Sequence, residues 1–182
     1  MPMMISHRTR AYTTKAAPGG FTLIELLVVI AVIVIMATWA VPGYSHFIER
    51  QQVAAEVLRL KSALAMARSS AITRGAVISL CPVASLEATH CAFDDWSQML
   101  VIVEGQAAGG SLAGTQRLRV IDPGSGPAVT FNRRLPIRHQ ASGWTRGHNG
   151  TFLVCGKHGQ GARIILNNTG RARSEVNNSG SC

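Results

Sequence analysis

The chain has 182 residues and a mass of 19.4 kDa, enough for one hydrophobic core plus an accessory segment and too little for two full domains. With 47% apolar and 15% charged residues, 18 glycines and 7 prolines, the composition excludes intrinsic disorder, collagen and Pro-rich linkers. Lys and Arg number 18 against 9 Asp and Glu, a formal charge of +9, which points to a polyanionic partner, either nucleic acid or an anionic membrane surface.

Residues 1–20 carry Arg8, Arg10 and Lys15 and no acid. From Phe21 to Val41 the chain is almost continuously apolar, with Thr22, Glu25 and Thr38 as its polar side chains. At ~1.5 Å per residue this run reaches about 31 Å as a helix, which spans a bilayer. The basic flank places residues 1–20 in the cytoplasm and everything after Val41 outside it. An ordinary secretory signal has a shorter apolar region followed by a small-residue cleavage site, whereas here the run is longer and Trp39 precedes Ala40. A cleaved secretory signal and a plain membrane anchor remain the simpler alternatives. Glu25 is the costly residue: a carboxylate in a membrane helix is unfavourable by about 2.5–3.5 kcal/mol near the centre and less near an end, so it either finds a partner or snorkels to the headgroups.

Pro42-Gly43 interrupts the helical pattern and predicts a kink. The periodicity then resumes: Val53, Val57, Leu60, Leu64, Ala67 and Ala71 form one apolar stripe on a helix that also carries Glu49, Arg50, Glu56, Arg59 and Lys61, so one face has to dock on something. Gly75 ends this element, predicting one helix from Phe21 to about Arg74 with an amphipathic half over residues 42–74. Strand-like runs follow at 76–83, 97–104, 116–122, 128–132, 135–139, 151–155, 162–167 and 171–176. The Gly-rich stretch from Gly105 to Thr115 reads as a flexible loop. A long helix followed by hairpins predicts an α+β domain with antiparallel sheets packed on the helix stripe over residues 75–182.

Cys81, Cys91, Cys155 and Cys182 all lie beyond the apolar run, in an oxidising compartment, where an even count predicts two disulfides, although four cysteines allow three pairings. Cys81–Cys91 is the most local choice and leaves Cys155–Cys182 to staple the tail to a strand. The alternative is zinc held by His90, Cys91, Cys155 and His158, at a spacing that matches no standard finger. Signatures of an enzyme are missing: the sequence holds no G-x-S-x-G, H-E-x-x-H, P-loop or paired-carboxylate pattern, and nothing calls for a cofactor.

Residues 131–182 hold Arg133, Arg134, Arg138, Arg146, Lys157, Arg163, Arg171 and Arg173 against the single acid Glu175. One reading is a solvated face that keeps the protein soluble. The other is a polyanion-binding surface. Gly170 permits close backbone approach to a partner. Arg171 and Arg173 in an extended strand project to one side about 7 Å apart, so that both guanidinium forks reach phosphates of one strand. An anionic lipid target is less suitable, because these residues lie outside the cytoplasm.

Gly19-Gly20-Phe21-Thr22-Leu23-Ile24-Glu25 behind a basic leader resembles the class III leader of type IV pilins and type II secretion pseudopilins. The resemblance implies that a prepilin peptidase cuts after Gly20 and methylates the new N-terminus at Phe21, and that Glu25 pairs with the free α-amine of a neighbouring subunit during filament assembly. Ala67-Arg68-Ser69-Ser70-Ala71-Ile72, Leu80-Cys81, Cys91, Trp96, Gly150-Thr151-Phe152-Leu153-Val154-Cys155 and Thr169-Gly170-Arg171-Ala172-Arg173 narrow it to the FimT/GspH group of minor pilins and pseudopilins. Gln98-Met99 departs from the Gly that many relatives carry there. In the FimT group a G-R-x-R tail is associated with DNA binding during natural transformation, and Gly170-Arg171-Ala172-Arg173 matches it residue by residue. Two functions follow from the resemblance. One is a minor pilin of the inner membrane and cell surface that captures double-stranded DNA; the other is a structural or priming pilin, or a GspH-like pseudopilin, without DNA binding.

The leader reading has a direct test. Gly20→Glu, or loss of the peptidase, leaves a full-length precursor in the membrane, and intact mass spectrometry of the mature protein finds Phe21 at the N-terminus; any other mature terminus removes the pilin-type leader.

Overall fold

The computed structural model describes residues 20–157, 159–176 and 182, with the side chains of residues 39–43 left aside. Most of the leader, Arg8, Arg10 and Lys15 included, and the zinc candidate His158 therefore lie outside the described residues. The chain divides into two compact units, Met1–Val41 and Pro42–Cys182. Helix α1, Leu23–Arg74, belongs to both, and its helical backbone continues through Pro42-Gly43 at the boundary between them.

In the first unit Thr22 caps the helix, its Oγ1 accepting the Glu25 backbone N–H at 3.3 Å. Thr22-Leu23-Ile24-Glu25 thus has the spacing of a capping box and starts the helix. The large apolar side chains from Leu23 to Met36 are exposed, a surface that water does not tolerate over such an area without a cover. Among the described residues no helix is long and apolar enough to cross a membrane; the described side chains of the apolar run end at Thr38, short of the Phe21–Val41 span expected from the sequence.

Among the described residues of the second unit, eight strands form two four-stranded antiparallel sheets. The first, in the order β3-β2-β1-β5, contains β1 (Ile78–Val83), β2 (Met99–Glu104), β3 (Gln116–Ile121) and β5 (Ile137–His139). The second, in the order β4-β6-β7-β8, contains β4 (Ala128–Phe131), β6 (Gly150–Cys155), β7 (Gly161–Leu166) and β8 (Ala172–Val176). One core joins them to α1. Val53, Leu60, Ala63, Leu64, Ala67 and Ala71 on the helix pack with Ile78, Leu80, Leu100, Ile102 and Ile137 from the first sheet and Val129, Phe131, Phe152, Val154, Ile164 and Leu166 from the second. Trp96 is fully buried between them, with edge contacts to Phe131 and Phe152 at centroid distances of 5.6 and 4.9 Å. The alternation of β4 and β7 follows this geometry, since every second residue faces the core.

β1 departs from alternation because both of its faces are buried. The outer face of β1 and its neighbour β2, with Cys81 and Val83 from the one and Val101 and Val103 from the other, is covered by residues that include Ala107, Cys91, Phe93 and Leu112. The cover is held by the Cys81–Cys91 disulfide, by Cys91 N–H donating to the Gly110 carbonyl at 2.8 Å and by Leu112 N–H donating to the Thr89 carbonyl at 2.8 Å. The Gly105–Thr115 stretch, expected to be a flexible loop, thus packs on the sheet through Ala107 and Leu112. Cys155–Cys182 forms the second disulfide, so the zinc alternative loses both of its sulfur ligands.

Helix and sheets are also tied by a buried charge pair. Arg59 donates to both carboxylate oxygens of Glu56 at 2.6–3.1 Å. It donates as well to the carbonyls of Trp96, Gln98 and Asp122 at 2.7, 3.3 and 3.0 Å, which anchors the chain on either side of β2 and β3 to the helix. Glu56 is buried, as is Glu49 two turns earlier. Cβ atoms at Gly124 and Gly156 would collide with these two carboxylates. Removing one partner of such a pair strands a buried charge. Arg59→Met is expected to destabilise the domain by about 3 kcal/mol, whereas Glu56→Met combined with Arg59→Met recovers part of that loss; urea denaturation followed by near-UV circular dichroism checks both values.

Candidate nucleic-acid interface

The eight basic residues of the last quarter do not form one patch. Arg134 pairs with Asp94, whose hydrogen bond and charge raise the guanidinium pKa. Arg138 donates twice to the Gln106 carbonyl, at 2.9 and 2.6 Å, and its burial lowers its pKa. Both are thus engaged on the side of the first sheet. Arg163 and Arg173 stand on the outward-facing positions of β7 and β8, where Arg163 lies opposite Glu175 and Arg173 Nε is 3.3 Å from the Glu175 carboxylate. Lys157 is exposed in the β6–β7 turn, at the other end of the second sheet from the β7–β8 turn.

Arg133, Arg146 and Arg171 do come together, through the backbone. After β5, residues 140–149 cross from the first sheet to the second and dock on the β7–β8 turn. The Thr145 N–H donates to the Asn168 carbonyl at 2.9 Å, and its hydroxyl donates to the Asn167 carbonyl at 2.9 Å. Gly147 N–H donates to Asn168 Oδ1 at 3.3 Å. Arg133 is bound to the same loop, donating to the Gly147 and Asn149 carbonyls at 2.6 and 3.1 Å. Within the turn, Asn167 Oδ1 accepts from the Arg171 N–H at 2.9 Å and from the Thr169 hydroxyl at 2.7 Å. Arg171 therefore leaves the turn in a determined direction. Arg146 and Arg171 are exposed, and among the described residues neither has an acidic partner.

Gly170 has a different role from the expected one. It is buried, with φ +76°, and a Cβ there would collide with the Gly143 carbonyl and sit 3.2 Å from His139 Nδ1. Its close approach is to the chain's own loop, not to an outside partner. His139 behind it is fully buried, donating weakly from Nδ1 to the Gly143 carbonyl at 3.4 Å. Desolvation, reinforced by the nearby Arg68 and His148 charges, pushes its pKa down to about 4, so it is neutral at physiological pH.

Comparison with known proteins agrees with this architecture. Residues 56–170 match the family described as type II transport protein GspH. The chain belongs to the GspH family. Residues 17–41 match the prokaryotic N-terminal methylation motif. Among curated relatives, a type IV major fimbrial protein FimA of Dichelobacter nodosus is 32% identical over 149 residues, covering 76% of this chain and 88% of its own. A second FimA from the same organism is 29% identical, with 79% of each chain covered. The type IV minor pilin FimU of Pseudomonas aeruginosa superposes with a TM-score of 0.55 at 25% identity, over 71% of this chain and 92% of FimU. In fold and family this is a type IV minor pilin of the GspH and FimT kind.

For this GspH-family chain the sequence reasoning missed two cations. Lys61 and Arg68 lie on α1 and, with Arg171, line the groove between the helix and the Gly170–Ala172 segment. Their seven-residue separation puts them on one helix face, a signal present in the sequence, but nothing local says that this face meets the β7–β8 turn. Gly170→Ala is expected to lower stability by about 1–3 kcal/mol, from the unfavourable φ and the collision with Gly143. Amide shifts in a two-dimensional NMR spectrum should move in the 140–145 loop as well as at Arg171; shifts confined to residue 170 and its sequence neighbours would contradict the packed role.

Proposed function

We propose that this minor pilin binds double-stranded DNA outside the cell, through phosphate contacts made by basic residues around the β7–β8 turn, during natural transformation. The observation that carries the reading is the exposure of Arg146 and Arg171 at one hydrogen-bonded junction, with no acid paired to either among the described residues. Exposed cations held on a rigid turn suit a phosphate backbone, because phosphate contacts position a protein without reading bases. Arg163 and Arg173 extend the basic character along the outer face of the second sheet. Glu175 reduces their net charge.

The N-terminal part of the proposal follows from the methylation motif. Prepilin peptidase cuts between Gly20 and Phe21, Phe21 is N-methylated, and the Phe21–Val41 helix sits in the inner membrane as a single span until the subunit enters a filament. The exposed apolar surface of Leu23 to Met36 supports this, since lipid or neighbouring pilin helices would cover it. Glu25 then meets the α-amine of an adjacent subunit. A second reading, a priming pilin or a secretion pseudopilin without DNA binding, is favoured by the name of the matching family, which is that of a type II transport protein.

A salt titration separates the two. Binding to a random-sequence duplex should weaken steeply as salt rises, because each neutralised phosphate releases about 0.9 of a counterion. Arg171→Ala with Arg173→Ala should lower the affinity and reduce the log–log slope by up to ~2 with the fold retained. A folded double variant that binds like the parent, or a parent that binds no duplex, supports the structural reading.

A further inference from the structure

The groove between α1 and the β7–β8 turn has a volume of about 550 Å³ and is lined by Lys61, Leu64, Ala65, Arg68, Ser69 and Ile72 from the helix and by Gly170, Arg171 and Ala172 from the opposite wall. Three of these side chains are cationic and none is acidic. Four arginines elsewhere in the domain, Arg59, Arg74, Arg134 and Arg173, stand in ion pairs with Glu56, Glu104, Asp94 and Glu175. Lys61, Arg68 and Arg171 have no carboxylate partner among the described residues. Lys61 has only a long contact, 3.4 Å, to the Ser174 hydroxyl.

Arg68 is the most informative of the three. Its Nε is buried and has no hydrogen-bond partner among the described residues, and a buried guanidinium donor is costly to leave unsatisfied. The same atom lies against Gly143, whose added Cβ would come within 3.1 Å of it. The side chain is therefore held between the helix and the loop that supports Gly170. His139, buried beside Gly170, is held neutral, so it brings neither a counter-charge to Arg68 nor a competing cation.

From these observations we infer that the groove is a phosphate-binding subsite for a DNA backbone, with Lys61 and Arg68 on one wall and Arg171 on the other. This inference rests on the DNA-binding reading above and extends it from the tail to the helix. Lys61 and Arg68 are two helical turns apart, about 10 Å along the axis, so they meet different phosphates, while Arg171 closes on one of them from the facing wall. Guanidinium forks are suited to the paired oxygens of a phosphodiester. The lining residues Leu64, Ala65 and Ala172 offer no hydrogen-bonding groups from their side chains, which favours backbone contact over base readout. A duplex seated there runs across α1 instead of touching only the β8 tail.

The test uses the full chain in neutral-detergent micelles and a random-sequence duplex, with affinity measured by anisotropy at several salt concentrations. Lys61→Gln with Arg68→Gln keeps the side-chain bulk and removes both charges. It is expected to weaken binding severalfold and to lower the log–log salt slope by up to ~2, at about 0.9 per lost contact. Lys61→Arg with Arg68→Lys keeps the charges and should keep the slope, and circular dichroism of each variant confirms the fold. If the neutral pair stays folded and binds with the parent's affinity and slope while Arg171→Ala with Arg173→Ala binds less, the groove is not a phosphate site and the tail alone carries binding. If the parent itself binds no duplex, the DNA-binding reading falls and the subsite falls with it. A loss in the neutral pair that the charge-conserving pair shares equally would assign Lys61 and Arg68 to packing and overturn the inference.

Discussion

The second unit depends on one helix face having to be covered. Val53, Leu60, Ala63, Leu64, Ala67 and Ala71 form a stripe that neither sheet buries alone, and both sheets supply side chains to the single core around it. Burial of this kind is worth about 25 cal/mol per Å² of apolar surface, and here it is shared among elements far apart in sequence. Trp96 belongs to no strand, yet it fills the space where the two sheets meet the helix. Small helix residues let the sheets come close: Ala63, Ala67 and Ala71 are all fully buried.

That close approach explains the polar features of the same helix. Glu49 and Glu56 are buried because loops from the sheets press on them, and Gly124 and Gly156 lie where a side chain would collide with the carboxylates. Arg59 answers Glu56 and collects three loop carbonyls in the same motion. A buried ion pair adds little over a well-packed apolar group, but its geometry is specific. It holds the loops beside β2 and β3 in one register against the helix.

At the other end of the core, the contact between Gly143 and Gly170 does similar work for the basic residues. A turn that admits no side chain at Gly170, pinned by Asn167, Asn168 and Thr145, sets Arg171 on the wall of the groove that faces the helix. Charge in this protein is consequently local: the formal excess of the last quarter is partly spent in pairs with Asp94 and Glu175 and in bonds to carbonyls. Of the cations without an acidic partner among the described residues, Arg146 and Arg171 belong to the loop and turn that Thr145 joins, whereas Arg117 and Arg119 lie on β3 and Lys157 at the far end of the second sheet. In this type IV minor pilin of the GspH family, Arg146 and Arg171 are carried on a loop and a turn that hydrogen-bond to each other.

The sequence by itself determined the secondary structure and the family. All eight strand-like runs correspond to strands, and α1 ends at Arg74 as Gly75 predicts, because period-two and period-3.6 apolar patterns are local properties of the chain. The N-terminal methylation motif was also legible, since it is a short contiguous string. Other features needed the tertiary structure. Glu49 and Glu56 look like solvent-facing helix residues until loops cover them. The Gly105–Thr115 segment reads as a flexible loop from its glycines, and only the outer face of β1 and the Cys81–Cys91 bridge give it a surface to pack on. Gly170 reads as an opening for a partner until Gly143 occupies the space. Lys61 and Arg68 join Arg171 only because the β7–β8 turn is brought against α1, a contact between residues about a hundred positions apart that no local pattern encodes.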